Sequence, residues 1–330
     1  MRTRVNGPRA FVIVLLSALA PLSLSACVNQ PKEPLRIGIN AWPPFELLYL
    51  AEQQGFFKEA GVAVDLCDFS SYTGILRAYH QGNIDGFFAT LNEIMITENF
   101  QDIPAVVLVA DYSCGADAVL ARDGIAHPAQ LRGRRIAFEE SALGSYMLER
   151  VLEIGGLRLS DVRPVNKLPE EGGEAFRRGE VDAVITYEPD LGKLLREKGA
   201  HVVFTSREIP GEILDVMALR RSAVEARASE IGRILKAWFR ALDYEKAHPQ
   251  ESAAFMAKRQ GVTVEEFLRA MSGVHIPDLE ENRELLGTVR QPGPLQRTVE
   301  RLGSFLVRHN LAKTAVSGTD LFHPEIVASE

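Results

Sequence analysis

Short apolar runs and helix-period stretches alternate along the first two thirds of the chain. Leu35-Arg36-Ile37-Gly38-Ile39 reads as a buried strand, and Leu47–Ala60 as the helix after it. A second strand is expected over 63–67. Ser70 or Ser71 then caps a helix, and a short third strand closes on Ala89. The order then repeats: strand 134–138, helix 143–155, strand 162–166, a helix opened by Pro169, and a strand ending at Thr186. Two β–α–β–α–β runs predict two α/β lobes with parallel-rich sheets and right-handed crossovers.

The two halves also share a motif. Ala78-Tyr79-His80-Gln81-Gly82-Asn83-Ile84-Asp85-Gly86 matches Ala175-Phe176-Arg177-Arg178-Gly179-Glu180-Val181-Asp182-Ala183. Its physical content is a helix stopped by a glycine free to take positive φ, a turn with an aspartate, and a buried strand. Asp85 and Asp182 therefore read as turn residues rather than ligands. Extended segments near 113–119 and 213–219 are expected to cross between lobes as a hinge. The expected division is lobe I over 35–116 plus 215–330 and lobe II over 117–214. From Ser222 the pattern turns helical: Ile231, Ile234, Leu235, Trp238, Phe239 and Leu242 make one apolar face, expected to pack back on lobe I.

The N-terminus changes the picture of where the chain works. Arg2, Arg4 and Arg9 precede an apolar run from Ala10 to Ser25, too short for a membrane span of about 20 residues and suited to a secretory leader. The run ends Leu24-Ser25-Ala26-Cys27, which resembles a bacterial lipobox. That resemblance implies cleavage before Cys27, lipidation of Cys27, and anchoring to a membrane that faces the periplasm or cell exterior, with 27–34 as a tether. Cleavage would remove three of the 37 basic side chains and none of the 44 acidic ones, taking the net charge from −7 to about −10. Such an acidic chain is a poor nucleic-acid partner. The remaining cysteines, Cys67 and Cys114, make no zinc or redox spacing, and whether they pair stays open. No metal cluster or cofactor motif is present, and the histidines are scattered.

Leu35–Gly38, Leu50-Ala51-Glu52-Gln53-Gln54-Gly55-Phe56-Phe57, Gly61-Val62 and Gly82-Asn83-Ile84-Asp85 occur in that order in the first half. Leu131-Arg132-Gly133-Arg134-Arg135-Ile136-Ala137, Gly179-Glu180-Val181-Asp182-Ala183 and Tyr187-Glu188-Pro189 follow in the second. Together they resemble the nitrate, sulfonate and taurine type of ABC-transporter solute-binding protein, a family that includes binders of thiamine-pyrimidine precursors. The resemblance implies a two-lobed periplasmic-binding-protein fold of type II character, with ligand held between lobes that close. It also implies an ABC permease as partner and a monomer as the working form. Tyr187 stands where relatives commonly carry a tryptophan. A membrane receptor is the alternative partner. An enzyme like the thiamine-pyrimidine synthase is the remaining reading, though its cysteine cluster is missing here.

In open α/β sheets, ligands sit beyond the carboxyl ends of the strands. That rule selects Trp42, Tyr72, Thr73, Asn92 and Glu93 from lobe I. The crossings supply Asp111, Ser113, Asp117 and Asp215, and lobe II supplies Glu139, Ser141, Ser145, Tyr187 and Glu188. Trp42, Tyr72 and Tyr187 are placed to stack on a planar ligand. Thr73 and Ser145 are placed at helix starts, where free N–H groups favour anions or carbonyls. These loops hold many acids and no lysine or arginine, so a neutral or cationic nitrogen-bearing molecule is the expected ligand.

Overall fold

The apolar runs pair into two sheets. The computed structural model describes residues 33–96, 104–315 and 317–328, with Gly7 alone before them, and Glu33–Glu330 forms a single contact unit. The segment expected to be a leader, and Cys27, lie outside the described residues. The first sheet contains β1 (Leu35–Asn40), β2 (Val64–Phe69), β3 (Gly86–Thr90), β4 (Ala105–Ser113), β10 (Leu214–Leu219) and β11 (Val274–His275). Their order is β11-β4-β10-β3-β1-β2. The second contains β5 (Asp117–Ala121), β6 (Arg135–Phe138), β7 (Arg163–Asn166), β8 (Ala183–Tyr187) and β9 (His201–Thr205), in the order β7-β6-β8-β5-β9.

Each sheet has three parallel strands from its βαβ units, as the alternation of elements requires. Beside each trio lies one reversed strand: β10 antiparallel to β3, and β5 antiparallel to β8. These are the strands that bring the chain in from the other lobe. A chain arriving at the cleft end of a sheet can only run away from it. The passages themselves are 114–116 and 206–213, so the second precedes the segment 213–219, most of which is β10. The hydroxyls of Ser113 and Ser206 share a hydrogen bond of 2.8 Å, and the Gly115 amide donates to Ser206 Oγ at 2.6 Å, tying the two passages together.

Helices fill the spaces the strands leave. The expected helix 47–60 is divided into α1 (Glu46–Gln53) and α2 (Phe56–Glu59), because Gly55 between them takes a φ of 76°. Then come α3 (Tyr72–His80), α4 (Leu91–Met95), α5 (Ala142–Ile154), α6 (Pro169–Arg177) and α7 (Asp190–Leu194). Ser71 caps α3 through Gly74 N–H, and Pro169 opens α6. Gly82 and Gly179 follow α3 and α6 at φ 74° and 73°, as the shared motif requires.

The motif's aspartates have partners that the motif itself does not contain. Asp85 accepts from the Arg36 amide and Nε, both at 3.0 Å, and from its Nη2 at 2.7 Å. Asp182 does the same for Arg135, at 2.8, 3.1 and 2.9 Å. Each therefore pins the turn after a helix to the first strand of its own β–α–β–α–β run, β1 or β6. Hydrogen bonds to a charged group contribute about 1.5–3 kcal/mol. Asp85→Ala and Asp182→Ala should each lower the unfolding free energy by about that amount, read as a lower denaturant midpoint at unchanged slope. An effect under about 0.5 kcal/mol, the range of an ordinary surface change, would show that the turn does not need the clamp.

The rest is helical, with α8 (Arg221–Ala247), α9 (Pro249–Gln260), α10 (Val264–Met271), α11 (Leu279–Leu286), α12 (Leu295–Arg308), α13 (Gly318–Leu321) and α14 (Pro324–Ala328). The apolar face of α8 is buried on the first lobe, with Trp238 5.4 Å from Phe88 between ring centres. Two tail helices reach further than the periodicity indicated. Glu266 of α10 forms an ion pair with Arg196 of the second lobe. Phe305 of α12 packs edge-on against Tyr146 of α5 at 4.5 Å, and His309 lies 3.3 Å from Glu149. No helix among the described residues is long and apolar enough to cross a membrane.

Candidate functional site

The strand registers assemble an acidic seam between the lobes. Antiparallel pairing sets Asp215 of β10 opposite Asp111 of β4, with Thr90 of β3 on its other side. In the second sheet, Asp117 of β5 stands opposite Tyr187 of β8. Directly opposed Cβ atoms lie about 4.5–5.5 Å apart, so Asp111 and Asp215 cannot avoid each other. The Trp42 indole N–H donates to Asp111 Oδ2 at 3.0 Å, and the Tyr72 hydroxyl donates to Asp215 Oδ1 at 3.3 Å. Tyr187 meets the edge of Trp42 at 6.1 Å and tilts over Tyr72 at 6.2 Å; its oxygen accepts from the Asn40 amide at 3.4 Å.

All three aspartates are buried, at 0% (Asp111), 3% (Asp117) and 1% (Asp215) exposure. Burial pushes the Asp117 carboxyl up to about 7, opposed only by a hydrogen bond from Ser113. Burial raises Asp111 and Asp215 well above the carboxylate range, and for Asp215 the facing Asp111 adds to it. One proton shared by the two opposed carboxyls relieves the repulsion. Among the described residues none of the three forms an ion pair with a lysine or arginine; their close partners are Trp42, Tyr72 and Ser113.

Two glutamates bridge the lobes above this floor. Glu139, after β6, accepts from the Thr73 amide at 3.1 Å and from its hydroxyl at 2.5 Å, at the start of α3 in the opposite lobe. Glu93, on α4, accepts from the Leu143 amide at 2.9 Å, at the start of α5. Burial raises Glu93 to about 7, although the Leu143 amide holds it down, and burial raises Glu139 against the pull of Thr73. With these contacts made, the cavity lined by Tyr72, Asp117, Glu139, Ser141, Thr186 and Tyr187 measures about 20 Å³. That is room for about one water molecule and too little for an organic solute in this arrangement.

The structure brings Trp42, Tyr72, Thr73, Glu93, Asp117, Ser141, Tyr187 and Asp215 to this seam. Ser141 caps α5 by accepting from Gly144 N–H at 3.1 Å. Asn92 is buried beside Glu93, and neither of its amide atoms has a hydrogen-bond partner. Ser113 serves the crossing through Ser206. Ser145 lies one turn into α5 and lines a separate groove of about 380 Å³ with Leu148, Leu159 and His309. Glu188 turns away from the seam: its carboxylate accepts from Gly192 N–H at 3.0 Å, and Arg269 of α10 acts on it. That arginine had no local signal, because it arrives from the tail. Asn40, Thr186 and Ser206 were likewise not singled out; Thr186 lines the cavity with its buried hydroxyl oxygen unpartnered. Cys67 and Cys114 are free thiols and line neither the cavity nor the groove formed by Thr73, Arg77, Glu93 and Ser141.

Two sheets joined by two passages, with a polar seam at their carboxyl ends, define the periplasmic-binding-protein fold. The chain belongs to the NMT1/THI5-like family, whose model matches residues 42–252. It is 24% identical over 261 residues to the taurine-binding periplasmic protein of Escherichia coli (strain K12), covering 76% of this chain and 79% of that one. It is 28% identical over 255 residues to a putative aliphatic sulfonates-binding protein of Bacillus subtilis (strain 168), covering 73% and 74%. In structure it is similar to the alkanesulfonate-binding protein SsuA from Xanthomonas axonopodis pv. citri bound to MOPS. That match has a TM-score of 0.73 and 18% identity, over 88% of this chain and 98% of that one. The desulfurization enzyme DSZB shares the fold at a TM-score of 0.65 and 19% identity, over 90% and 98%.

Proposed function

We propose that this protein is the exported solute-binding component of an ABC importer, and that it captures a small nitrogen-bearing organic molecule by lobe closure. The relatives named as binding proteins support the solute-binding role, and the taurine-binding one, named as periplasmic, supports the location. The observation that carries the ligand class is the trio Asp111, Asp117 and Asp215, buried and, among the described residues, in no ion pair with a lysine or arginine. An ammonium or an aminoheterocycle supplies the missing donors and charge, and Trp42, Tyr72 and Tyr187 surround it with ring faces and edges. A free sulfonate or nitrate would add like charge to the same seam. Residues 35–116 with 215–330 form one moving body and 117–214 the other, turning about the passages that Ser113 and Ser206 tie together. No covalent step is needed.

A ligand that binds only the folded state raises its melting temperature by mass action. In a thermal-shift screen of the chain from Cys27 onward, primary amines and aminopyrimidines should stabilise, as should taurine through its ammonium. Stabilisation by nitrate or an alkanesulfonate alone would overturn the ligand class and leave the binding role standing. The anchor is tested separately. A palmitate analogue should label the wild type and not Cys27→Ala, and equal labelling of both would remove the lipid anchor from the proposal.

A further inference from the structure

The helix ends that face the cleft are closed across it. Neither α3, with nine residues, nor α5, with thirteen, has an acidic side chain in its first turn. The positive end of each dipole, and the free amide of its second residue, would otherwise draw an anion from solution. Instead the Thr73 amide is bonded to Glu139 and the Leu143 amide to Glu93, each carboxylate coming from the opposite lobe. The two helices are not equivalents in the internal repeat: α3 is the second long crossover helix of its lobe and α5 the first of its own. The reciprocal arrangement is therefore not inherited from the repeat. Beside Glu139 and Ser141, the cavity also presents the Thr186 hydroxyl, 2% exposed and with no hydrogen-bond partner, as a polar atom waiting for a solute's.

We propose that Glu93 and Glu139 are specificity residues, tethered carboxylates that occupy both anion-binding helix ends and so exclude solutes whose anchoring group is an anion. A tethered group competes at an effective concentration of about millimolar or more, without the cost of bringing a free partner in. A free anion must displace it and then sit close to the displaced carboxylate. The proposal rests on the solute-binding reading above and explains how a fold shared with sulfonate-binding relatives would refuse a sulfonate.

The test uses the chain from Cys27 onward with methanesulfonate as the probe, and ethylamine as an independent arm. Titration calorimetry and thermal shift are run on the wild type, on Glu93→Ala with Glu139→Ala, and on Glu93→Gln with Glu139→Gln. Methanesulfonate should bind the alanine pair at least about tenfold more tightly than the wild type. The glutamine pair should fall between, because its amide oxygens still accept the hydrogen bonds without the charge. If the alanine pair does not fold, the glutamine pair decides by the same comparison. Equal affinity in wild type and variants, or no gain in any variant, overturns the proposal. Ethylamine stabilising the wild type with no anion gain in the variants refutes the specificity role alone. Anion gain with no amine response refutes the ligand class alone.

Discussion

Lowering the pH from 8 to 5 will close the ligand-free protein. The groups responsible face one another across the seam: Asp111 on β4, Asp117 on β5, Asp215 on β10, Glu93 on α4 and Glu139 after β6. In the closed form Asp117 and Glu93 titrate at about 7, because burial penalises their charge. When the lobes part, water returns and they fall back to about 4. The closed form therefore holds protons more tightly. Its preference is full below about pH 4 and is lost as the pH rises through about 7. Between pH 8 and 5 each of these two carboxyls shifts the balance toward closure by about 2.5 kcal/mol, somewhat under a hundredfold. Small-angle scattering should show a smaller radius of gyration at pH 5 than at pH 8, and a cationic ligand should produce the compact form at pH 8. An unchanged radius, or expansion in acid, would mean that the seam does not open as a unit.

Asp215→Asn will make the protein more stable and a much poorer binder. Asp215 and Asp111 are opposed, buried and in no ion pair among the described residues, so at pH 8 at least one of them is ionised or protonated at a cost. An amide of the same shape still bonds to Asp111 and accepts from Tyr72 while removing the like charge. The expected gain at pH 8 is about 1–3 kcal/mol, or roughly 2–5 °C in melting temperature for a chain of this length. The same change removes a counter-charge for a bound ammonium. Losing one partner of a buried charge pair costs about 2–5 kcal/mol, so amine affinity should fall at least about thirtyfold. The opposite signs separate a seam built for a cation from one built for packing. Lower stability with unchanged affinity would sink the charge argument, and Asp117→Asn gives an independent repeat on the other sheet.

The internal repeat, the strand order within each half and the helix ends were legible in the sequence because each depends on residues within a turn or two. Gly82 and Gly179 stop helices through their own backbone freedom, Ser71 caps through an amide three residues on, and Pro169 opens a helix by its fixed φ. The cleft-facing loops were also legible, since parallel strands carry their carboxyl ends to one edge whatever the side chains are. That is why Trp42 and Tyr72 arrive together, and Asp117 and Asp215 join them because the reversed strands β5 and β10 start at the same edge. What a side chain does there was decided only by the tertiary structure. Ser145 and Ser141 are one turn apart, and only Ser141 faces the seam. Glu188 is drawn off by Gly192 and Arg269, the latter from a helix whose docking has no local signature. The bonds from Thr73 to Glu139 and from Leu143 to Glu93 span 66 and 50 residues and join different lobes. They exist only at the angle at which the lobes meet, and that angle is set by packing across the whole seam rather than by any stretch of chain.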